Sequence, residues 1–318
     1  MDSDVRDGVT FTNLDQALFD GAGVTKGELV DYLDAIADRM VKTLTGRPLS
    51  VVRARPGQPP FMQKNVPKSA PPWFQTVSLW AETSQREVAY ALCNDRRSLL
   101  WLGNQRAVEY HPALVRADSP GHLTHLVIDL DPPTGAAFSA VVAVAHLVRQ
   151  VLSEAGLDGV AKTSGAKGLH IFVPIDDEVS TEDTAAALRA IAAQVEQLDP
   201  TIATTAFMKE DRENKVFVDS TRSGNATVAS VYSPRARPGL PVSFPLRWDQ
   251  LDVVTPTDFT IRTAVGILGD SDPWASLMPP NQSVPRHLIE AGRAIPVPRV
   301  AAMHEGKRRA NSRKRNAD

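Results

Sequence analysis

Three aspartates stand where short hydrophobic runs end. Asp129 and Asp131 close Leu126-Val127-Ile128-Asp129-Leu130-Asp131, and Asp219 closes Lys215-Val216-Phe217-Val218-Asp219. In an extended strand, side chains two apart point to one face, so Asp129 and Asp131 project together with Cα atoms roughly 7 Å apart. Two like charges so placed repel unless a cation lies between them, and a hard divalent ion with oxygen preference is the natural neutraliser. Asp-x-Asp is common, however, and alone it reads more readily as two acids at a solvent-facing strand end. Asp219 alone reads equally well as the first residue of a turn. Should all three converge, they would supply the negative charge that two-metal phosphoryl transfer requires.

Two further blocks carry phosphate-binding chemistry. Thr163-Ser164-Gly165-Ala166-Lys167-Gly168-Leu169-His170 lacks the order of a Walker A loop and precedes a strand instead of a helix. Its ingredients still suit phosphates: two glycines admit close backbone approach, Ser164 brings a hydroxyl, Lys167 a point charge and His170 another donor. His170 alternates with Leu169 and Ile171 and so points away from their apolar face. The bland reading is a tight glycine turn with a structural histidine. Tyr232-Ser233-Pro234-Arg235-Ala236-Arg237-Pro238 places two arginines in a proline-stiffened loop, where they could clamp phosphate oxygens or merely form a basic surface.

The elements that must position these residues can be read from periodicity. Leu29, Tyr32, Leu33, Ile36, Met40 and Leu44 recur at helical spacing, predicting an amphipathic helix over residues 25–45 with Thr25 as a cap. Six prolines between residues 49 and 80 predict loops and short edge strands there, and a helix is expected over 96–108. Further on, strands are expected over 123–131, 160–164, 169–174, 215–219 and 227–232, and helices over 136–152, 181–198 and 260–269. Strands separated by helices, with hairpin-like pairs among them, predict an α+β fold with a central mixed or antiparallel sheet flanked by helices. Proline-rich coil and a basic tail are expected after residue 269.

The chain has 318 residues, 42% hydrophobic and 23% charged, with a net charge of −2 and one cysteine, Cys93. This balance excludes a disordered or membrane-spanning chain, and one cysteine excludes an internal disulfide or cysteine-rich zinc site. The acidic, polar N-terminus has no signal-peptide character, so a cytoplasmic setting is expected. The total charge does not advertise a nucleic-acid binder, but Lys307, Arg308, Arg309, Arg313, Lys314 and Arg315 cluster near the C-terminus. They read as a solvated end or as a phosphate-binding arm.

In this order and spacing, the blocks 127–132, 163–170, 215–219 and 232–238 resemble the archaeo-eukaryotic primase superfamily. The resemblance runs over residues 9–251. It is to the polymerase domain of bacterial end-joining ligase D and its stand-alone primase-polymerase relatives. It implies a primase-type catalytic core and a nucleotidyltransferase that extends a primer 3′ end. Asp129, Asp131 and Asp219 then look like the ligands of two Mg²⁺ or Mn²⁺ ions. Ser164, Lys167, His170 and Arg235 look like contacts to the incoming triphosphate, and His111 matches a histidine that helps hold the nucleotide. Asn13 and Lys26 fall in a segment similar to a pocket for a downstream 5′-phosphate, in which Gln16 replaces a lysine. Phe61 and Lys64 match a segment that packs on template bases, with Arg53 grouped beside them. Arg212 and Arg222 flank the third aspartate near metal and template.

The organisation expected from this resemblance is an N-terminal DNA-binding part (1–120), a catalytic core (121–300) and a basic tail (301–318). Expected partners are gapped or primer-template DNA, ribo- and deoxynucleoside triphosphates, and a separate ligase and break-binding protein, since no ligase or nuclease segment is recognised. Short-gap filling is the first functional reading and end joining the second. A non-catalytic nucleic-acid scaffold is a third reading, disfavoured because a scaffold has no reason to cluster repelling carboxylates. A metal nuclease would leave the Ser164/Lys167/His170 group unexplained. A monomer is expected.

Overall fold

The computed structural model describes residues 4–81, 85–176, 178–223 and 226–297; the basic cluster from Lys307 to Arg315 lies outside them. The architecture is α+β, and the chain divides into two compact units, each assembled from discontinuous segments. Among the described residues, the first takes 4–81, 85–124, 160–167 and 226–278, the second 125–159, 168–176, 178–223 and 279–297.

In the first unit, the helix Lys26–Leu44 begins at Thr25 with a reciprocal cap: the Thr25 side chain accepts from the Glu28 N–H while Glu28 accepts from the Thr25 N–H. Its stripe of Leu29, Leu33, Ile36, Met40 and Leu44 is fully buried. It packs against the helix Arg96–Asn104, where a Cβ on Gly103 would stand 2.6 Å from Leu33 Cδ1. That helix is shorter than the periodicity predicts. Arg106 turns the chain at φ +61° and releases Ala107–Pro112 into a buried strand.

The expectation of loops and edge strands over 49–80 holds for Gln58–Gln63, Thr76–Ala81 and the stretch between them, and is corrected at one element. Leu49–Arg55 is a seven-residue strand bonded to Ala107–Pro112 along one edge and, at different points of its other edge, to Gln58–Gln63 and Arg86–Ala91, with Thr76–Ala81 beyond the latter. The prolines fall outside it. Pro59 and Pro60 sit in Gln58–Gln63, at the sheet margin, where a missing N–H costs no second ladder bond. No strand forms over 227–232: Thr227 makes one isolated bridge to Ala113, and Tyr232 at φ +66° breaks the extended run.

The second unit holds strands in the order Ala203–Thr204, Val216–Asp219, His125–Asp131, Leu169–Pro174. The strand His125–Asp131 is antiparallel to both neighbours. Ala203–Thr204 pairs parallel to Val216–Asp219. The helices Phe138–Glu154 and Thr181–Leu198 pack on this sheet. The C-terminal chain is more helical than expected. In the first unit the helix foreseen over 260–269 shrinks to Ala264–Leu268, ending at Gly269 with φ +53°. Pro273–Leu277 then starts with proline in its first turn and Asp272 as cap. In the second unit Arg286–Arg293 packs on Thr181–Leu198, with Gly292 against the Ala186 carbonyl.

One glycine sets the carboxylate-bearing strand directly. A Cβ on Gly168 would lie 2.1 Å from the carbonyl oxygen of Leu130, the residue between Asp129 and Asp131. Gly168→Ala is therefore expected to destabilise the protein by roughly 1–3 kcal/mol, whereas Gly121→Ala, with nothing within 4 Å of the added carbon, should leave the melting temperature unchanged. Calorimetry of the two variants compares them; equal melting temperatures would contradict the packing.

Candidate active site

Strand register brings the acidic residues together. Asp129 lies directly across from Asp219 on one side and from His170 on the other, and Asp131 lies across from Phe217. Cross-strand pairs put Cα atoms about 4.5–5.5 Å apart, so two carboxylates distant in sequence face each other. Both are 5% exposed. Arg222 bridges them: its Nε donates to Asp129 Oδ2 at 3.0 Å, and its Nη2 stands 2.8 Å from Asp129 Oδ2 and 3.3 Å from Asp219 Oδ2. Thr221 donates its N–H and hydroxyl to Asp219 Oδ1. His170 Nε2 lies 3.4 Å from Asp129 Oδ1.

The electrostatics divide the group. Burial works against the charge on Asp129, but His170 and Arg222 outweigh it and hold the carboxyl well below its usual range. Asp131 lacks such donors. Burial and then the neighbouring charges of Asp129 and Asp219 push it up to about 6, with Arg222 and Arg212 opposing. A carboxylate left this uncompensated is what an added hard cation would relieve. Among the described residues, no three His, Cys, Asp or Glu side chains form a preset metal cage; Arg222 is the cation lying against Asp129 and Asp219. The all-oxygen donor set nevertheless fits Mg²⁺ or Mn²⁺ and not a softer metal.

The other sequence-derived contacts gather in the first unit around a residue that periodicity did not single out. Glu109 is buried; its Oε2 receives His111 Nε2 at 2.8 Å and stands 3.0 Å from Arg235 Nε, while its Oε1 accepts the Ala236 N–H at 2.9 Å. The Arg235 contact is an ion pair by distance, Nε having no aligned hydrogen bond. Arg235 Nη1 donates to the Ser164 carbonyl at 2.6 Å. Gly165 at φ +69° makes room for this: a Cβ there would meet Arg235 Cγ at 2.6 Å. Lys167 is exposed on the same loop. Lys162 was also missed. Fully buried, it donates to the Ala229 carbonyl and to Ser243 Oγ and ties together the segments flanking Arg235.

The candidate DNA contacts are scattered. Asn13 is exposed at φ +56°. Lys26, 2% exposed, donates to the Thr12 carbonyl and Asn104 Oδ1, and burial followed by the Arg106 charge lowers its pKa to about 8. Arg106 in turn donates to Gln16 Oε1 at 2.7 Å. A guanidinium thus meets Gln16. Phe61 is 40% exposed and no core residue; Arg53 lies over its ring, held by the Gln105 carbonyl and Gln63. Lys64 is exposed nearby in sequence. Arg212, in the second unit, stacks on Phe217 at 3.8 Å and donates to the Ala206 and Phe207 carbonyls.

The family model described as LigD, primase-polymerase domain, matches residues 25–274. The chain belongs to this family. Multifunctional non-homologous end joining DNA repair protein LigD of Mycobacterium tuberculosis is 34% identical over 255 residues, covering 77% of this chain and 33% of that protein. Bifunctional non-homologous end joining protein LigD of Bacillus subtilis is 30% identical over 262 residues, covering 80% of this chain and 41% of the relative. The chain thus spans well under half of either relative. The polymerase domain of Mycobacterium tuberculosis ligase D, solved in complex with DNA, superposes with a TM-score of 0.78 at 32% identity, covering 85% of this chain and 97% of that one. As a LigD-type primase-polymerase domain, the chain is a nucleotidyltransferase of the DNA-directed polymerase class. No helix among the described residues is long and apolar enough to cross a membrane.

The repulsion at Asp131 has a measurable consequence. Its carboxyl is raised to about 6, so its contribution to metal-free stability is present in acid and lost as pH rises through about 6. Asp131→Asn is expected to raise the stability in EDTA at pH 7.5 by on the order of 1 kcal/mol, and the melting temperature with it, and to abolish most of the stabilisation that Mn²⁺ gives the wild type. Thermal melts with and without Mn²⁺ test both; a variant that Mn²⁺ stabilises as fully as the wild type would remove Asp131 from the metal set.

Proposed function

We propose that this domain is a template-directed primase-polymerase that adds ribo- or deoxynucleotides to a primer 3′ end and fills short gaps during DNA repair. The observation that carries the reading is the cross-strand pairing of Asp129 with Asp219, beside an Asp131 whose charge no protein donor compensates. Asp129, Asp131 and Asp219 would hold two divalent ions, which supply activation of the primer 3′-hydroxyl and neutralisation of the triphosphate. The hydroxyl oxygen attacks the α-phosphorus, the α–β bridging bond breaks and pyrophosphate leaves.

The chain's own residues do the remaining work. Ser164, Lys167, His170 and Arg235 contact the triphosphate and His111 steadies the nucleotide. Arg222 neutralises charge among the carboxylates, and is the group that yields ground when divalent cations enter. Phe61, half-exposed at the sheet margin, offers an aromatic face to a template base, with Arg53 and Lys64 on the backbone. Asn13 and Lys26 receive a downstream 5′-phosphate, with Arg106 replacing the charge that Gln16 lacks. Arg212 lies on the template side.

A second reading, end-joining synthesis with a break-binding protein and a ligase in trans, is favoured by the names of the relatives. The two differ in what they require: gap filling needs only gapped DNA, whereas end joining needs an end-bridging partner.

Asp129→Ala and Asp219→Ala are expected to lower nucleotide incorporation by at least ~10³-fold while leaving folding and DNA binding in place. Primer extension across a gap of one to a few nucleotides, with ribo- and deoxynucleotides in parallel, measures this; wild-type extension by either variant would sink the mechanism. Lys26 adds a pH dependence. Its ammonium, with a pKa near 8, discharges as pH rises from 7 to 9, so preference for a 5′-phosphorylated gap should weaken over that range. Lys26→Arg, which stays charged, should flatten the profile. A wild-type preference independent of pH would take Lys26 out of the pocket.

A further inference from the structure

Among the described residues, Glu109 is the one buried carboxylate that reaches two of the proposed nucleotide contacts at once. It sits two residues before His111 on the strand Ala107–Pro112, so both side chains project to one face. Its partners Arg235 and Ala236 come from a loop more than a hundred positions later. Burial opposes its charge, yet the His111 hydrogen bond, the Arg235 charge and the Ala236 N–H outweigh that and bring it down to about 2. Glu109 is therefore an acceptor only at any working pH.

Two consequences follow from geometry. A carboxylate that only accepts requires a proton on the His111 nitrogen facing it, Nε2. In the neutral ring, Nδ1 is then an acceptor, suited to a hydroxyl donor such as a sugar provides. Arg235 is held at two points, Nε by Glu109 and Nη1 by the Ser164 carbonyl, which leaves Nη2 as the edge for an anionic ligand. A further buried group stands beside His111: Ser50 is its direct cross-strand neighbour, 1% exposed, with a hydroxyl that has no partner. A buried polar atom left open next to an oriented imidazole marks a place built for a ligand and not only for packing.

We infer that Glu109 is the positioning residue of the nucleotide cradle, orienting His111 and Arg235 together toward an incoming nucleoside triphosphate. The inference rests on the polymerase reading, which assigns those two residues to the nucleotide, and adds the group through which they act. Glu109 touches no substrate itself. Its effect is on nucleotide binding, not on the chemical step, and it is shared with His111.

The test is a set of variants, Glu109→Gln, Glu109→Asp, His111→Ala and the Glu109→Gln/His111→Ala pair. Each is measured by equilibrium binding of ATP with Mn²⁺ and by primer extension at varied nucleotide. Glu109→Gln should raise Kd and KM roughly 10- to 100-fold with kcat within about twofold. Glu109→Asp should recover part of the loss, and the pair should be little worse than the poorer single variant. Wild-type affinity in Glu109→Gln, or losses that multiply independently in the pair, would overturn the inference. Nitrogen-15 NMR of the wild type gives a check that requires no variant to fold. Neutral His111 should carry its proton on Nε2, and the Nδ1–H form would equally overturn the proposal. A wild type that binds ATP with this pattern but extends no primer would refute the polymerase reading and keep the role of Glu109; normal extension with an indifferent Glu109 would do the reverse.

Discussion

The close approach of carboxylates on adjacent strands is the constraint to which the second unit is built. Asp129 and Asp219 face each other across a ladder, both nearly inaccessible, with Asp131 projecting from the same face as Asp129. Burying like charges side by side costs several kcal/mol unless cations or hydrogen bonds compensate. Arg222, His170 and Thr221 do this for Asp129 and Asp219, but not for Asp131. In the proposed two-metal site, a divalent ion admitted there would convert this repulsion into coordination.

The rest of the second unit makes that placement rigid. The apolar residues alternating with the acids, Leu126, Ile128 and Leu130, are wholly buried or nearly so, and they fix the face on which Asp129 and Asp131 emerge. A register slip of one residue would turn both acids into the core. Gly168 lets the next strand close onto the Leu130 carbonyl, and the helices behind the sheet lock the strand from sliding. The first unit uses a different device. The loops carrying its proposed phosphate contacts are held by buried ion pairs and hydrogen bonds: Glu109 with His111 and Arg235, Lys162 with Ala229 and Ser243. Loops so braced combine an exposed backbone with fixed side chains, as an anion site requires.

Much of this was legible from residue types and spacing. The capped helix over 26–44, the strands ending in aspartate, and the glycine loop all declare themselves through short-range rules: period, cap and turn chemistry. Where the reading failed, a long-range effect won. Proline density suggested that residues 49–80 lie at an edge, but Leu49–Arg55 itself contains no proline and is paired on both sides. The helix foreseen to 108 gives way at Arg106, where a left-handed residue starts a strand that only the sheet makes worthwhile. Residues 227–232 look like a strand by composition but make a single bridge, because Tyr232 adopts a positive φ.

By itself the sequence determined the chemistry on offer: which residues carry charge, which pairs share a face of one strand, and where backbone can approach a phosphate. Those properties depend on neighbours a few positions away, so local geometry decides them. Only the tertiary structure decided that Asp219 meets Asp129, that Arg222 lies against both, and that Glu109 joins His111 to Arg235. Each of these joins segments separated by about ninety residues or more, except for the short steps from Asp219 to Arg222 and from Glu109 to His111. Such contacts follow from strand order and register, which the burial of the whole chain selects and no single stretch encodes.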